Sequence, residues 1–315
     1  MNPKYLQKLS HDLLQTNCHG ASAERLCNMT KAALRILALL EVDGREGDWG
    51  SYQTWRNKLK EIYNALQKAI LSSPSTADCA YMLKAMLDIS AENMAPITPT
   101  ERETCEIMAN NLVENHLKRI KGYLGEIHWE TQTAILHLII TLYAYQPDPD
   151  EPAFCFLQEQ LANETERMQT ASSQQVQTRE ETAAHIALLV RNRNAFLDKS
   201  YDNLLSEAIR CNIETPIKTI LTQESSPTTS LGAPTEHLNA NEIRFLCLCH
   251  DILSECISAD HFGRLTHQLG NLFLQQSLST PPDTDLGNQV RTQAILQGIT
   301  ETMAAARLCI CCNCG

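Results

Sequence analysis

The apolar residues of this 315-residue chain recur every three or four positions with little interruption, and that period constrains its fold more than any other feature. A residue returns to one face of an α-helix after three or four steps, whereas a half-buried strand alternates at every second residue. Leu26, Met29, Ala33, Leu37 and Leu40 make one such stripe, and Trp55, Leu59, Ile62, Leu66 and Ile70 make the next. Only 12 Gly and 12 Pro punctuate the whole chain, so the helices are long and the expected class is all-α with essentially no β-sheet. Helix starts are predicted at Asn2 before Pro3, at Ser51, at Ser75 with Asp78, at Thr100 with Glu101 and Glu103, and at Asn239 with Glu242. At each, a short polar or acidic side chain can satisfy backbone N–H groups that lack a partner in the first turn. Breaks are predicted at Asp43 to Gly50, Pro96 to Pro99, Pro147 to Pro152 and Pro281 to Asp285.

Helix pairs therefore begin near residues 2, 51, 100 and 153, a spacing of roughly 50 residues that lies near the range of helical repeats. The expected architecture is stacked helical hairpins, as an irregular α-solenoid or a large helical bundle. The segment Glu224 to Glu236 (ESSPTTSLGAPTE) is rich in Ser, Thr and Pro with little to bury, so 224–236 reads as a linker. It separates an N-terminal helical body, 1–223, from a C-terminal three-helix part, 237–308, with helices near 239–258, 260–279 and 285–308. A cysteine-rich tail, 309–315, follows.

Charge argues against nucleic acid as a partner. The chain carries 26 Lys and Arg against 37 Asp and Glu, a net charge of −11, whereas nucleic-acid affinity comes largely from basic side chains that displace counterions. The 13 cysteines do not read as a disulfide framework. Cys27, Cys79, Cys105, Cys155, Cys211, Cys247 and Cys256 fall in helix-period segments where a thiol serves as a small hydrophobe. The opening MNPKYLQKLSHDLLQ holds no continuous apolar run, so no secretory signal is expected. The longest apolar stretch, Ala134 to Tyr145, carries His137 and is about a dozen residues long, short of the roughly 20 that span a bilayer. The expected location is cytoplasmic.

The most unusual segment is the tail, where Cys309, Cys311, Cys312 and Cys314 place four thiols in six residues. The cluster resembles those of metallothioneins, which implies soft thiolate ligands for zinc or another thiophilic metal. It is also similar to the acylated C-termini of small GTPases and other peripheral proteins, which implies S-acylation and association with a membrane. No CaaX box is present, because Asn313, Cys314 and Gly315 follow Cys312. A tail with neither role is the third reading, and the sequence leaves the three open.

The segment Phe245 to Cys256 (FLCLCHDILSEC) places His250 and Asp251 on an apolar helix. It resembles the HD-domain phosphohydrolases, and the resemblance implies a divalent-metal site centred on His250 and Asp251, with His237 upstream and Asp283 or Asp285 downstream. The stripe Ile243, Leu246, His250, Leu253 and Ile257 gives His250 a second reading, as an interior packing position. His137 and His185 have similar apolar surrounds, and Glu181 lies four residues before His185, the spacing of half a metal site. The acidic stretch Asp43 to Gly50 lacks the alternating ligands of a calcium loop and reads as a helix connection. No GxGxxG, GxxxxGK[ST], GxSxG or HExxH motif occurs. The expectation is a helical protein-interaction scaffold or adaptor, not an enzyme and without a cofactor, with a protein partner and with a membrane only if the tail is acylated. The alternatives are zinc or another divalent metal held by the tail, or a divergent HD-like phosphohydrolase.

Overall fold

The computed structural model describes residues 3–43, 49–92, 95–122, 128–143, 151–169, 179–191, 199–224, 238–255, 259–281 and 284–312. All regular structure among them is helical, so the protein is all-α. The helices are α1 (Pro3–Gln15), α2 (Ala23–Asp43), α3 (Tyr52–Ser72), α4 (Thr76–Ala91), α5 (Pro99–Lys121), α6 (Trp129–Tyr143), α7 (Pro152–Gln169) and α8 (Arg179–Arg191). They continue as α9 (Lys199–Ile209), a π-helical segment (Arg210–Glu214), α10 (Thr215–Glu224), α11 (Ala240–Glu255), α12 (Ala259–Ser279) and α13 (Asp285–Cys312). No helix among the described residues is long and apolar enough to cross a membrane.

Local chemistry sets several of these boundaries. Ser51 caps α3 by accepting from Thr54 N, and Ser75 caps α4 by accepting from Asp78 N. Asn239 and Glu242 cap α11 reciprocally, since Glu242 N donates to Asn239 Oδ1 and Asn239 N donates to Glu242 Oε2, each at 2.9 Å. The start of α5 differs from the sequence expectation. Thr98, not Thr100, is its cap, with a capping box to Glu101 and Pro99 in the first helical position. Proline belongs there because its fixed φ suits the helix and the N–H it lacks would have gone unpaired. The π segment has a similar origin in Pro216, which cannot donate to the carbonyl one turn back and crowds it. Thr215 N donates to Arg210 O instead, five residues earlier.

The chain forms two compact units, residues 1–154 with 270–315, and residues 155–269. In the first unit α4 packs against α2, α3, α5 and α6, while α13 packs along α2 and also meets α1. The core is built by the stripes read from the sequence. Leu26, Met29, Ala33, Leu37 and Leu40 of α2 and Trp55, Leu59, Ile62 and Leu66 of α3 are all buried. In the second unit α8 packs against α11, α9 and the π segment, around Leu188, Leu189, Ile213 and Leu246.

This grouping runs along a different line from the boundaries read in the sequence. The unit borders fall within α7 and α12, and the three C-terminal helices are shared out, with α11 packing on α8 and α13 on α2. The expected linker, 224–236, lies outside the described residues apart from Glu224. A polar seam sets the α2–α13 register. Ser22 Oγ donates to Asp285 Oδ1 at 2.7 Å, Arg25 lies 3.8 Å from the same carboxylate, and Thr292 Oγ1 donates to Asn28 O at 3.5 Å. The contacts advance together along both helices, so α2 and α13 run parallel.

Candidate functional site

The cysteine-rich C-terminus is a helix for most of its length. Thr302 to Cys312 contains neither Gly nor Pro and is rich in Ala, Met, Leu and Arg, residues that cost a helix little. Accordingly α13 does not stop near residue 308 but continues through Cys312. Cys309, Cys311 and Cys312 occupy its last turns, and Cys314 lies outside the described residues. The same helix is anchored upstream, where Val290, Ala294, Ile295 and Ile299 are fully buried in the first unit.

His250 is an interior residue of α11, 2% exposed, in line with the buried Ile243, Leu246 and Leu253. Asp251, the next residue, is half-buried. Burial drives the Cys249 thiol well above its ordinary pKa, and the negative charges of Asp251 and Glu180 add to that. Of the further ligands that the phosphohydrolase resemblance implies, His237 and Asp283 lie outside the described residues, whereas Asp285 belongs to the first unit and binds Ser22. His137 is buried in α6, and His185 and Glu181 are half-buried in α8. Among the described residues, no three His, Cys, Asp or Glu side chains come together as a metal site.

The acidic stretch closes as a helix connection at its described end. Trp49 is buried with its carbonyl accepting from Trp55 Nε1 at 2.6 Å, and Gly50 adopts φ +88°, a conformation that L side chains rarely take. Residues 44–48 lie outside the described residues. The cysteines divide more sharply than the helical period implied. Cys105 and Cys247 are buried, Cys27 and Cys79 are half-buried, and Cys155 and Cys211 are exposed. Cys155 lies off the buried stripe Ala153, Leu157 and Leu161, and Cys211 off Ile209, Ile213 and Ile217. Cys256 lies outside the described residues.

One buried polar cluster was not singled out by the sequence reading. Lys58 of α3 is 5% exposed, and its Nζ donates to Thr16 O at 2.6 Å and to Glu61 Oε2 at 3.0 Å. Cys18, buried in the turn between α1 and α2, follows Thr16 by two residues, and Lys58 and Glu61 are near enough to act on its thiol. Burial pushes the Cys18 thiol up to about 12, and the nearby Lys58 charge only partly opposes this. Partial burial acts upward on Glu61 as well, but the bond from Lys58 and the proximity of Cys18 outweigh it and hold the carboxyl below its ordinary range. A signal was present in the sequence, since Lys58 falls three residues after Trp55 and four before Ile62, on the apolar face. Its distant partner, Thr16 O, lies 42 residues back in the turn after α1, where periodicity carries no information.

No protein-family model, curated protein or solved structure matches this chain.

Proposed function

We propose that the chain is a helical protein-interaction scaffold or adaptor, held at a membrane surface by S-acylation of Cys309, Cys311, Cys312 and Cys314. The observation that carries this reading is the course of α13. Its middle is buried in the first unit at Val290, Ala294, Ile295 and Ile299, and the helix runs on without a break to Cys312. Cys312 lies thirteen positions beyond Ile299, about 20 Å at the helical rise. Cys309, Cys311 and Cys312 are thus borne on an extension of a core helix. Several acyl chains at one place anchor a protein firmly, whereas a single chain holds it marginally. Acylation has to supply the affinity, because a chain of net charge −11 is repelled by anionic lipid.

The test compares the full-length protein with a chain ending at Leu308 in the cells that make it. The expected result is membrane association of the full-length chain, released by hydroxylamine, which cleaves thioesters, and abolished by the truncation. Identical partitioning of the two chains would remove the tether. Elemental analysis of the same two purified, reduced proteins tests the competing use of the thiols, because stoichiometric metal lost on truncation would make the tail a thiolate metal site instead.

A further inference from the structure

α13 docks on the first unit through a face unlike that of its neighbours. Glycines aside, its buried side chains among the described residues are Asn288, Val290, Thr292, Gln293, Ala294, Ile295, Gln297 and Ile299, so half of them are polar. In α4, which packs on α2, α3, α5 and α6, Ser90 is the single polar member of the buried set, and its hydroxyl is satisfied within the helix by Met86 O at 2.7 Å. The α2 side of the seam is polar as well. Asn28 is buried and its carbonyl accepts from Thr292. Asn28 Nδ2, Asn288 Oδ1 and Gln289 Oε1 are buried on these two helices with no hydrogen-bond partner among the described residues. A polar atom that leaves water without finding a partner opposes the docking that buries it, whereas an apolar side chain favours it.

We propose that α13 is a releasable strap, which leaves α2 as one piece while α2, α3, α4 and α6 stay packed. Native proteins open in cooperative segments of this kind, and the segments that open first are those whose docking is least apolar. Release returns Asn28, Asn288, Thr292, Gln293 and Gln297 to water, where each finds partners, so part of the cost of exposing Val290, Ile295 and Ile299 is offset. The backbone bonds of α13 are internal to the helix and survive its departure. The bonds from Arg291 run to the end of α12 and do not hold the α2 seam. At the start of the seam the Asp285 carboxyl is partly solvated, so water can replace its bond from Ser22. When the strap is closed, these same polar contacts fix its register on α2, a role that buried polar groups fill at the expense of stability. Release would carry Cys309, Cys311 and Cys312 away from the α2–α6 body, and it requires no modification of them.

Native-state hydrogen exchange of the full-length, reduced protein over a series of low urea concentrations tests this. Amides of 292–299 should be protected at least about tenfold less than those of 59–66 and 82–89, and their protection should fall less steeply with urea, because a partial opening exposes less surface. A mild variant in the body separates the two openings. Ile89 is fully buried in α4, which packs on four helices other than α13. Ile89→Val should lower the protection of 82–89 by about two- to tenfold, the effect of one buried methylene. It should leave that of 292–299 unchanged, because the body is intact in both the closed and the released strap. Equal protection and equal urea slopes in the two sets would overturn the proposal. So would a parallel fall of both in Ile89→Val, since α13 would then open only with the whole unit. The wild-type comparison decides this even if the variant fails to fold.

Discussion

The guanidinium of Arg291 joins the end of one helix to the start of another, and replacing it gives a direct measure of how the C-terminal helix is held. Its Nη2 donates to Ser277 O at 2.9 Å and Thr280 O at 3.0 Å, at the end of α12, while Nη1 donates to Gly287 O at 2.9 Å within α13. The carbonyl end of a helix carries partial negative charge and lacks intrahelical donors, so the cation there serves as a cap. Arg291→Met keeps most of the stem and removes all three bonds. Gly287 O retains its place in the α13 ladder and Thr280 O can turn to water, but Ser277 is 2% exposed and its carbonyl loses a charged donor. Counting the two inter-helix bonds at about 1–2 kcal/mol each, below the full value because the guanidinium is partly solvated, the loss comes to about 2–4 kcal/mol. Arg291→Lys should lie between the two, since a single ammonium cannot reproduce the planar fork. Urea unfolding followed by tryptophan fluorescence suits this measurement, because Trp49, Trp55 and Trp129 all belong to the unit that contains Arg291. A loss below about 0.5 kcal/mol for Arg291→Met, or a lysine variant equal to wild type, would refute the clamp, since that is the range of ordinary surface substitutions.

Three further outcomes follow from the same structure. Gly287→Ala should destabilise despite a helix-propensity gain of about 1 kcal/mol, because its Cβ would stand 1.9 Å from Pro281 O; a variant unfolding at higher urea than wild type contradicts this. His116 is buried, and burial holds its pKa below the ordinary 6.5 against the upward effect of its bond to Gln132, with Arg119 lowering it further. The unfolded chain then binds a proton below pH 6.5 that the folded chain refuses. Stability therefore falls with pH from there to the depressed folded value, by at most about 1.4 kcal/mol per pH unit, and His116→Gln should flatten that part of the profile. In the native, reduced protein, Cys155 and Cys211 should react with a thiol reagent well before Cys18, Cys105, Cys247 and Cys249, which are buried. Mapping the first-labelled peptides checks the order, and early labelling of Cys105 or Cys249 would contradict the packing.

The sequence by itself determined that the chain is helical, where several helices begin and which faces of α2 and α3 are buried. Ser51, Ser75 and Asn239 cap their helices because a cap needs only atoms three residues away, and the α2 and α3 stripes are buried because a helix carries its period with it. The displaced start at Thr98 was also legible in principle, from Pro99 and the Thr98 to Glu101 spacing. Only the tertiary structure decided partners distant along the chain. It brought Ser22 to Asp285 and Arg291 to the end of α12, divided the C-terminal helices between two units, and set the buried Lys58 ammonium against Thr16 O. An amphipathic face specifies that it will be buried but not against what, because apolar surface is attracted without direction, and many helices can cover the same stripe. The choice among them rests on side-chain shape and on the pairing of buried polar groups, and both exist only once the helices have met.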